Sequence, residues 1–134
     1  MTRILTHTLT ILVLLLTTTT VLASHSSGNW KRGRIYYRMV CSTCHVSERG
    51  EAISPADKKI AEWKKYMTAD QHVTNDKANP KVSYYASEEY RESIKDTNKA
   101  AAKFLKLPEE ELFDDIRAFV VHTAKDSDNP ARCK

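Results

Sequence analysis

A chain of 134 residues with 21 basic and 17 acidic side chains, a net charge of +4, is long enough for one hydrophobic core and too short for two. So mild a positive excess lacks the electrostatic footprint of a nucleic-acid-binding protein. Three cysteines leave no second Cys pair with which to close a structural zinc site. The first element in chain order reads as a secretory signal over residues 1–23. Arg3 supplies its positive start, Leu9 to Leu16 form an apolar stretch interrupted only by Thr10, and Val21-Leu22-Ala23 sets cleavage after Ala23. The stretch is too short for a comfortable membrane span. The polar run Thr17 to Thr20 argues against an uncleaved anchor, and no Cys follows the cleavage site to carry a lipid. The expected mature chain, Ser24 to Lys134, is therefore exported to the periplasm without a stable membrane span, and the loss of Arg3 leaves 20 basic against 17 acidic side chains, +3.

Residues 24–28 read as a polar leader, 29–125 as the folded domain and 126–134 as a polar tail. Asn29 is suited to N-cap a helix from Trp30 to about Cys44. On that helix Gly33, Tyr37, Val40, Cys41 and Cys44 share one face by three- and four-residue spacing. The stripe ends in Cys41-Ser42-Thr43-Cys44-His45, the C-x-x-C-H spacing of covalent c-type haem attachment. The chemistry needs those residues within one helical turn: two thiols add across the two vinyl groups of one haem, and His45 then lies beneath the iron as proximal ligand. A Cys pair also serves as a thioredoxin-like redox couple, a zinc half-site or a disulfide, but no βαβ pattern surrounds this one. Export agrees with the haem reading, since c-type haem is attached outside the cytoplasmic membrane in bacteria. Around the motif Lys31, Arg32, Arg34, Arg38 and Arg49 face only Glu48, which makes either a solvated helix face or a basic rim that steers an acidic redox partner.

The longer pattern Gly33-x-x-x-Tyr37-x-x-x-Cys41-x-x-Cys44-His45 resembles the N-terminal helix of class I cytochromes c. In that family the glycine lets a C-terminal helix cross closely and the aromatic packs at the crossing. The resemblance implies a matching helix with an apolar residue followed three later by an aromatic, and Asp115-Ile116-Arg117-Ala118-Phe119-Val120 supplies it. The implied fold is all-α and class I cytochrome c-like, with N-terminal and C-terminal helices crossing around one covalently bound haem c.

Between the two ends, Ser54-Pro55-Ala56-Asp57 carries the start signals of a helix running to about Met67 or Ala69: a Ser cap, Pro at the first position and an early acid. Ala56, Ile60, Trp63 and Met67 form its apolar face, and the Trp63 indole is expected to pack on the haem edge or to hydrogen-bond a propionate. A polar connection containing His72 leads to about Val82. Ser87 then caps a short helix to about Lys95, and another covers Asn98 to Lys106. The last runs from Pro108 to about Ala124, with three acids at its positive end and Leu112, Ile116, Phe119, Val120 and Thr123 facing inward.

Class I cytochromes offer a distal Met from a loop before the C-terminal helix, yet no Met follows Thr68. Met39 is tied to the attachment helix, His25 lies on the leader, and His122 falls about 120° from the inward centre of its helix, where exposure is expected. Met67 and His72 remain as distal candidates. His72 is preferred, because a loop leaving a helix can approach the iron, and because Ala61-Glu62-Trp63 followed by a His at the helix exit resembles a group of small bacterial monohaem cytochromes. The expected function is a monohaem electron carrier, not an enzyme, that cycles Fe(III)/Fe(II) between redox partner proteins. The alternatives are a five-coordinate c-type haem sensor or haem enzyme, and a haem subunit of a larger assembly. Cys133 is left over, for a Cys133-linked dimer or as an exposed terminal thiol.

Overall fold

Asn29 opens the fold. Its side chain accepts hydrogen bonds from the N–H groups of Lys31 (3.1 Å) and Arg32 (3.2 Å), so helix α1, Trp30–Tyr36, begins where the capping signal places it. The computed structural model describes residues 27–49, 53–72 and 78–132. The expected signal segment, His25 with most of the leader, and Cys133 lie outside the described residues. Described residues outside helices and turns form no strand, so the expected all-α class holds for them.

After α1 the chain widens into one π turn, Tyr37–Cys41, and re-enters an α-helix, α2, Ser42–Arg49. The Ser42 N–H donates to the Tyr37 carbonyl five residues back. Two expectations change here. The helix does not stop at Cys44 but runs on to Arg49, so His45 is a helical residue rather than the first of a loop. The wider turn also breaks the stripe, since Tyr36, Tyr37 and Val40 are buried while Cys44 is exposed. Both adjacent tyrosines are anchored: the Tyr36 hydroxyl donates to the Tyr85 carbonyl (2.6 Å) and the Tyr37 hydroxyl to the Ile53 carbonyl (2.7 Å).

The helix Glu109–His122, here α6, crosses α1. A methyl group added at Gly33 would fall on the Asp115 carbonyl and lie within 2.9 Å of the Ile116 nitrogen, so the two backbones touch at a position only glycine allows. Gly28 meets the Asp114 carbonyl in the same way. Polar groups lock the crossing. Asp115, fully buried, accepts the Asn29 N–H (2.6 Å) and pairs with the Arg32 Nε, while Arg32 also reaches Glu111. A buried carboxylate is tolerable only with such partners. Apolar packing completes it, with the rings of Tyr37 and Phe119 at 5.3 Å. His122 is not exposed as expected; it stacks on Trp30 at 4.2 Å and 24° between planes, because the flat Trp30 ring covers the end of α6.

The expected helix from Ser54 divides in two. Ser54 and Asp57 form a capping box around a single 3-10 turn, Pro55–Asp57, and Lys58 and Lys59 are extended. Helix α3, Ile60–Ala69, then restarts with the Lys59 N–H on the Glu62 carboxylate (2.7 Å) and the Ile60 N–H on Asp126 (2.7 Å). Asp126, the first residue of the expected tail, thus caps a helix start. Trp63 and Met67 point from α3 into the core shared with Leu112, Ile116, Phe119 and Val120 of α6. The Trp63 indole N–H donates to the Pro55 carbonyl (2.7 Å), which corrects its expected role toward a propionate: its donor fastens the preceding turn.

A 3-10 turn, Ser83–Ala86, precedes helix α4, Glu88–Ile94, where Ser87 caps as its sequence suggests (Tyr90 N–H, 3.1 Å). Helix α5, Lys99–Phe104, is capped by Asn98. The fully buried Arg91 fastens α4 to the chain beyond α5, donating to the carbonyls of Ser87 (3.0 Å), Leu107 (2.9 Å) and Phe104. No helix of the described residues is long and apolar enough to cross a membrane.

Candidate functional site

The π turn and α2 carry Cys41, Cys44 and His45 to the side of the molecule formed by the Ser83–Ala86 turn and α4. The two thiols are not bonded to one another. Burial pushes the Cys41 thiol up to about 12, so it is neutral at physiological pH. That is the reverse of a reactive redox cysteine, whose thiolate is stabilised. Among the described residues no three His, Cys, Asp or Glu side chains gather as a metal-binding group.

Tyrosines surround the thiols. Tyr90 is hydrogen-bonded to Cys44, and its hydroxyl titrates well above the ordinary range, first through burial and then through the neighbouring Cys44. Tyr36 is raised as well, by burial and then by Cys41. Tyr85 is raised by burial, opposed by the Asn79 N–H that its hydroxyl accepts (2.8 Å). The rings of Tyr84, Tyr85 and Tyr90 contact one another at 5.0–5.5 Å, and Phe104 meets Tyr36 at 5.2 Å. Of the tyrosines on this side the sequence pattern singled out Tyr37, as the aromatic of the helix crossing. Five of the six tyrosines fall at positions 36, 37, 84, 85 and 90, and their pairing in two blocks was the available signal.

His72 completes the arrangement. Its ring lies 5.8 Å from that of His45 and 5.1 Å from that of Tyr85. Its backbone N–H donates to the Pro80 carbonyl (2.7 Å), which closes the loop that carries it. The His45 and His72 rings meet edge to face with 65° between their planes, which brings two imidazoles, each able to serve as a metal ligand, to one place. Met67, the other distal candidate, is 2% exposed and packed in the apolar core with Trp63. The contact with His45 is thus made by the candidate on the loop.

Beyond the thiols, the outer face of α1 and the π turn exposes Lys31, Arg34 and Arg38, with Ile35 and Met39 each 54% exposed beside them. Arg32 does not join this face as the sequence suggested; its guanidinium is held by Asp115 and Glu111, which raise it beyond its ordinary value. Comparison with protein-family models, with curated proteins and with solved structures returns no match to this chain.

Proposed function

We propose that the protein is an extracytoplasmic monohaem c-type electron carrier of class I cytochrome type, with haem held by Cys41 and Cys44 and with His45 and His72 as its two axial ligands. The observation that carries this reading is the edge-to-face contact of the His45 and His72 rings at 5.8 Å, with His45 next to Cys44 in the chain. The C-x-x-C-H spacing and the glycine-mediated crossing of α1 and α6 support it. When bound, the haem supplies a one-electron ferric/ferrous couple.

The chain's own residues supply the rest. Cys41 and Cys44 would hold the group to α2 and the π turn through thioether bonds, so that it stays with the protein between encounters. His45 and His72 would supply two imidazole nitrogens to its iron, a donor set that favours a lower potential than His with Met. Tyr36, Tyr85 and Tyr90 shield the attachment side from water, and a drier, less polar environment tunes the potential further. Lys31, Arg34 and Arg38 present positive charge for brief docking with an acidic redox partner.

Absorption and near-infrared magnetic circular dichroism of the holoprotein test the reading. The wild type is expected to be low-spin with a bis-histidine signature. His72→Ala is expected to turn it high-spin, and Met67→Ala is expected to leave the ligation unchanged. A high-spin wild type, or ligation lost with Met67 rather than His72, refutes the assignment.

A further inference from the structure

We infer that Asp70 is the positioning residue for His72: its carboxylate clasps Ser83 and so holds His72 beside the turn that bears Tyr85. The inference rests on the axial role of His72 proposed above. Asp70 ends α3 at φ 47° and ψ 40°, the left-handed conformation that Asp and Asn adopt more readily than other side chains with a Cβ. This turn takes the chain out of the helix two residues before His72. The Asp70 side chain then reaches across thirteen residues, where Oδ1 accepts the Ser83 N–H at 2.7 Å and Oδ2 accepts the Ser83 hydroxyl at 2.6 Å.

Ser83 begins the 3-10 turn that bears Tyr85, the residue whose ring contacts His72. The His72 N–H bond to Pro80 is a second clasp inside the first. Asp70 therefore fastens the segment that bears His72 to the segment that bears Tyr85, its packing partner. An imidazole on an unclasped loop must be ordered at each binding event and loses that entropy each time. With Asp70 and the His72 N–H both fastened, that cost is met before binding and His72 is pre-organised. Two hydrogen bonds to a carboxylate are of the stronger, charge-assisted kind, suited to holding a loop against the pull of a competing ligand.

The test uses the full-length holoprotein with carbon monoxide as probe. Asp70→Gly, Asp70→Asn, Ser83→Ala and His72→Ala are compared with wild type for spin state, for carbon monoxide association with the ferrous form, and for melting midpoint. Asp70→Gly keeps the left-handed turn without the clasp. It is expected to speed carbon monoxide association about tenfold, the size of one charge-assisted hydrogen bond, and to gain a high-spin fraction that added imidazole restores to low spin. Ser83→Ala, which loses only the Oδ2 bond, and Asp70→Asn, which keeps one acceptor, are expected between Asp70→Gly and wild type. Should Asp70→Gly fail to fold, these two decide by the same criterion.

Wild-type association rates and spin states in the clasp variants, even with a lowered melting midpoint, overturn the inference while His72→Ala still turns high-spin. A His72→Ala protein indistinguishable from wild type instead overturns the axial assignment, and the inference with it.

Discussion

Cys41 is a thiol that the fold keeps protonated, and this has a measurable consequence in the haem-free protein. Its ordinary value near 9.0 applies to the unfolded chain, whereas burial raises the folded value to about 12. The folded state binds the proton more tightly, so this stabilising contribution is complete below pH 9 and is lost as pH rises from 9 toward 12. Denaturant titrations of haem-free protein across that window are expected to show stability falling with pH, and Cys41→Ala is expected to flatten the fall. Iodoacetamide is likewise expected to modify the exposed Cys44 before Cys41 at pH 8. At this scale the spacing of Cys41, Cys44 and His45 was legible because the three lie within about one helical turn of one another. The preference for His72 over Met67 could be formed but not decided, since it depends on where a loop closes. Asp70 left no trace, because its clasp on Ser83 is a contact thirteen residues distant between two ordinary polar side chains.

Among the elements, the crossing of α1 and α6 is the contact least tolerant of change. Gly33→Ala places a methyl group on the Asp115 carbonyl, and both partners are backbone, so neither can rotate aside. A loss of about 3 kcal/mol or more of unfolding free energy is expected from overpacking at such a site, measured by urea denaturation, with Gly33→Val worse. The same crossing was readable from Gly33, Tyr37, Ile116 and Phe119, residues eighty apart whose types fit only as a pair. Helix starts at Asn29, Ser87 and Asn98 were readable for a different reason: capping is chemistry within three residues. The π turn was not readable. It has no composition of its own, and it arises where Tyr36 and Tyr37, adjacent in sequence, are both buried and anchored to different parts of the chain. The division at Lys58 was missed because a second start signal, Lys59 with Glu62, lay inside what reads as one amphipathic run.

For the molecule as a whole, the charge that matters to a partner is what remains after internal pairing. Arg32 is taken up by Asp115 and Glu111, which leaves Lys31, Arg34 and Arg38 exposed beside Ile35 and Met39. Electron transfer to an acidic partner is expected to slow with rising ionic strength. Replacing Lys31, Arg34 and Arg38 together by Glu is expected to cut the low-salt rate about tenfold or more and to remove the salt dependence, as followed by stopped flow. Composition alone could not single out these three, because pairing across the crossing decides which cations stay outside. The bond from Asn29 to Asp115 spans 86 residues, so the crossing of α1 and α6 forms only once α6 has been made. Closure of so long a loop comes late and slowly. As the chain is synthesised, the π turn bearing Cys41 is thus made well before the partners that bury it, and its thiol keeps an interval of access for covalent chemistry that narrows as those partners dock, while Cys44 stays exposed in the finished fold.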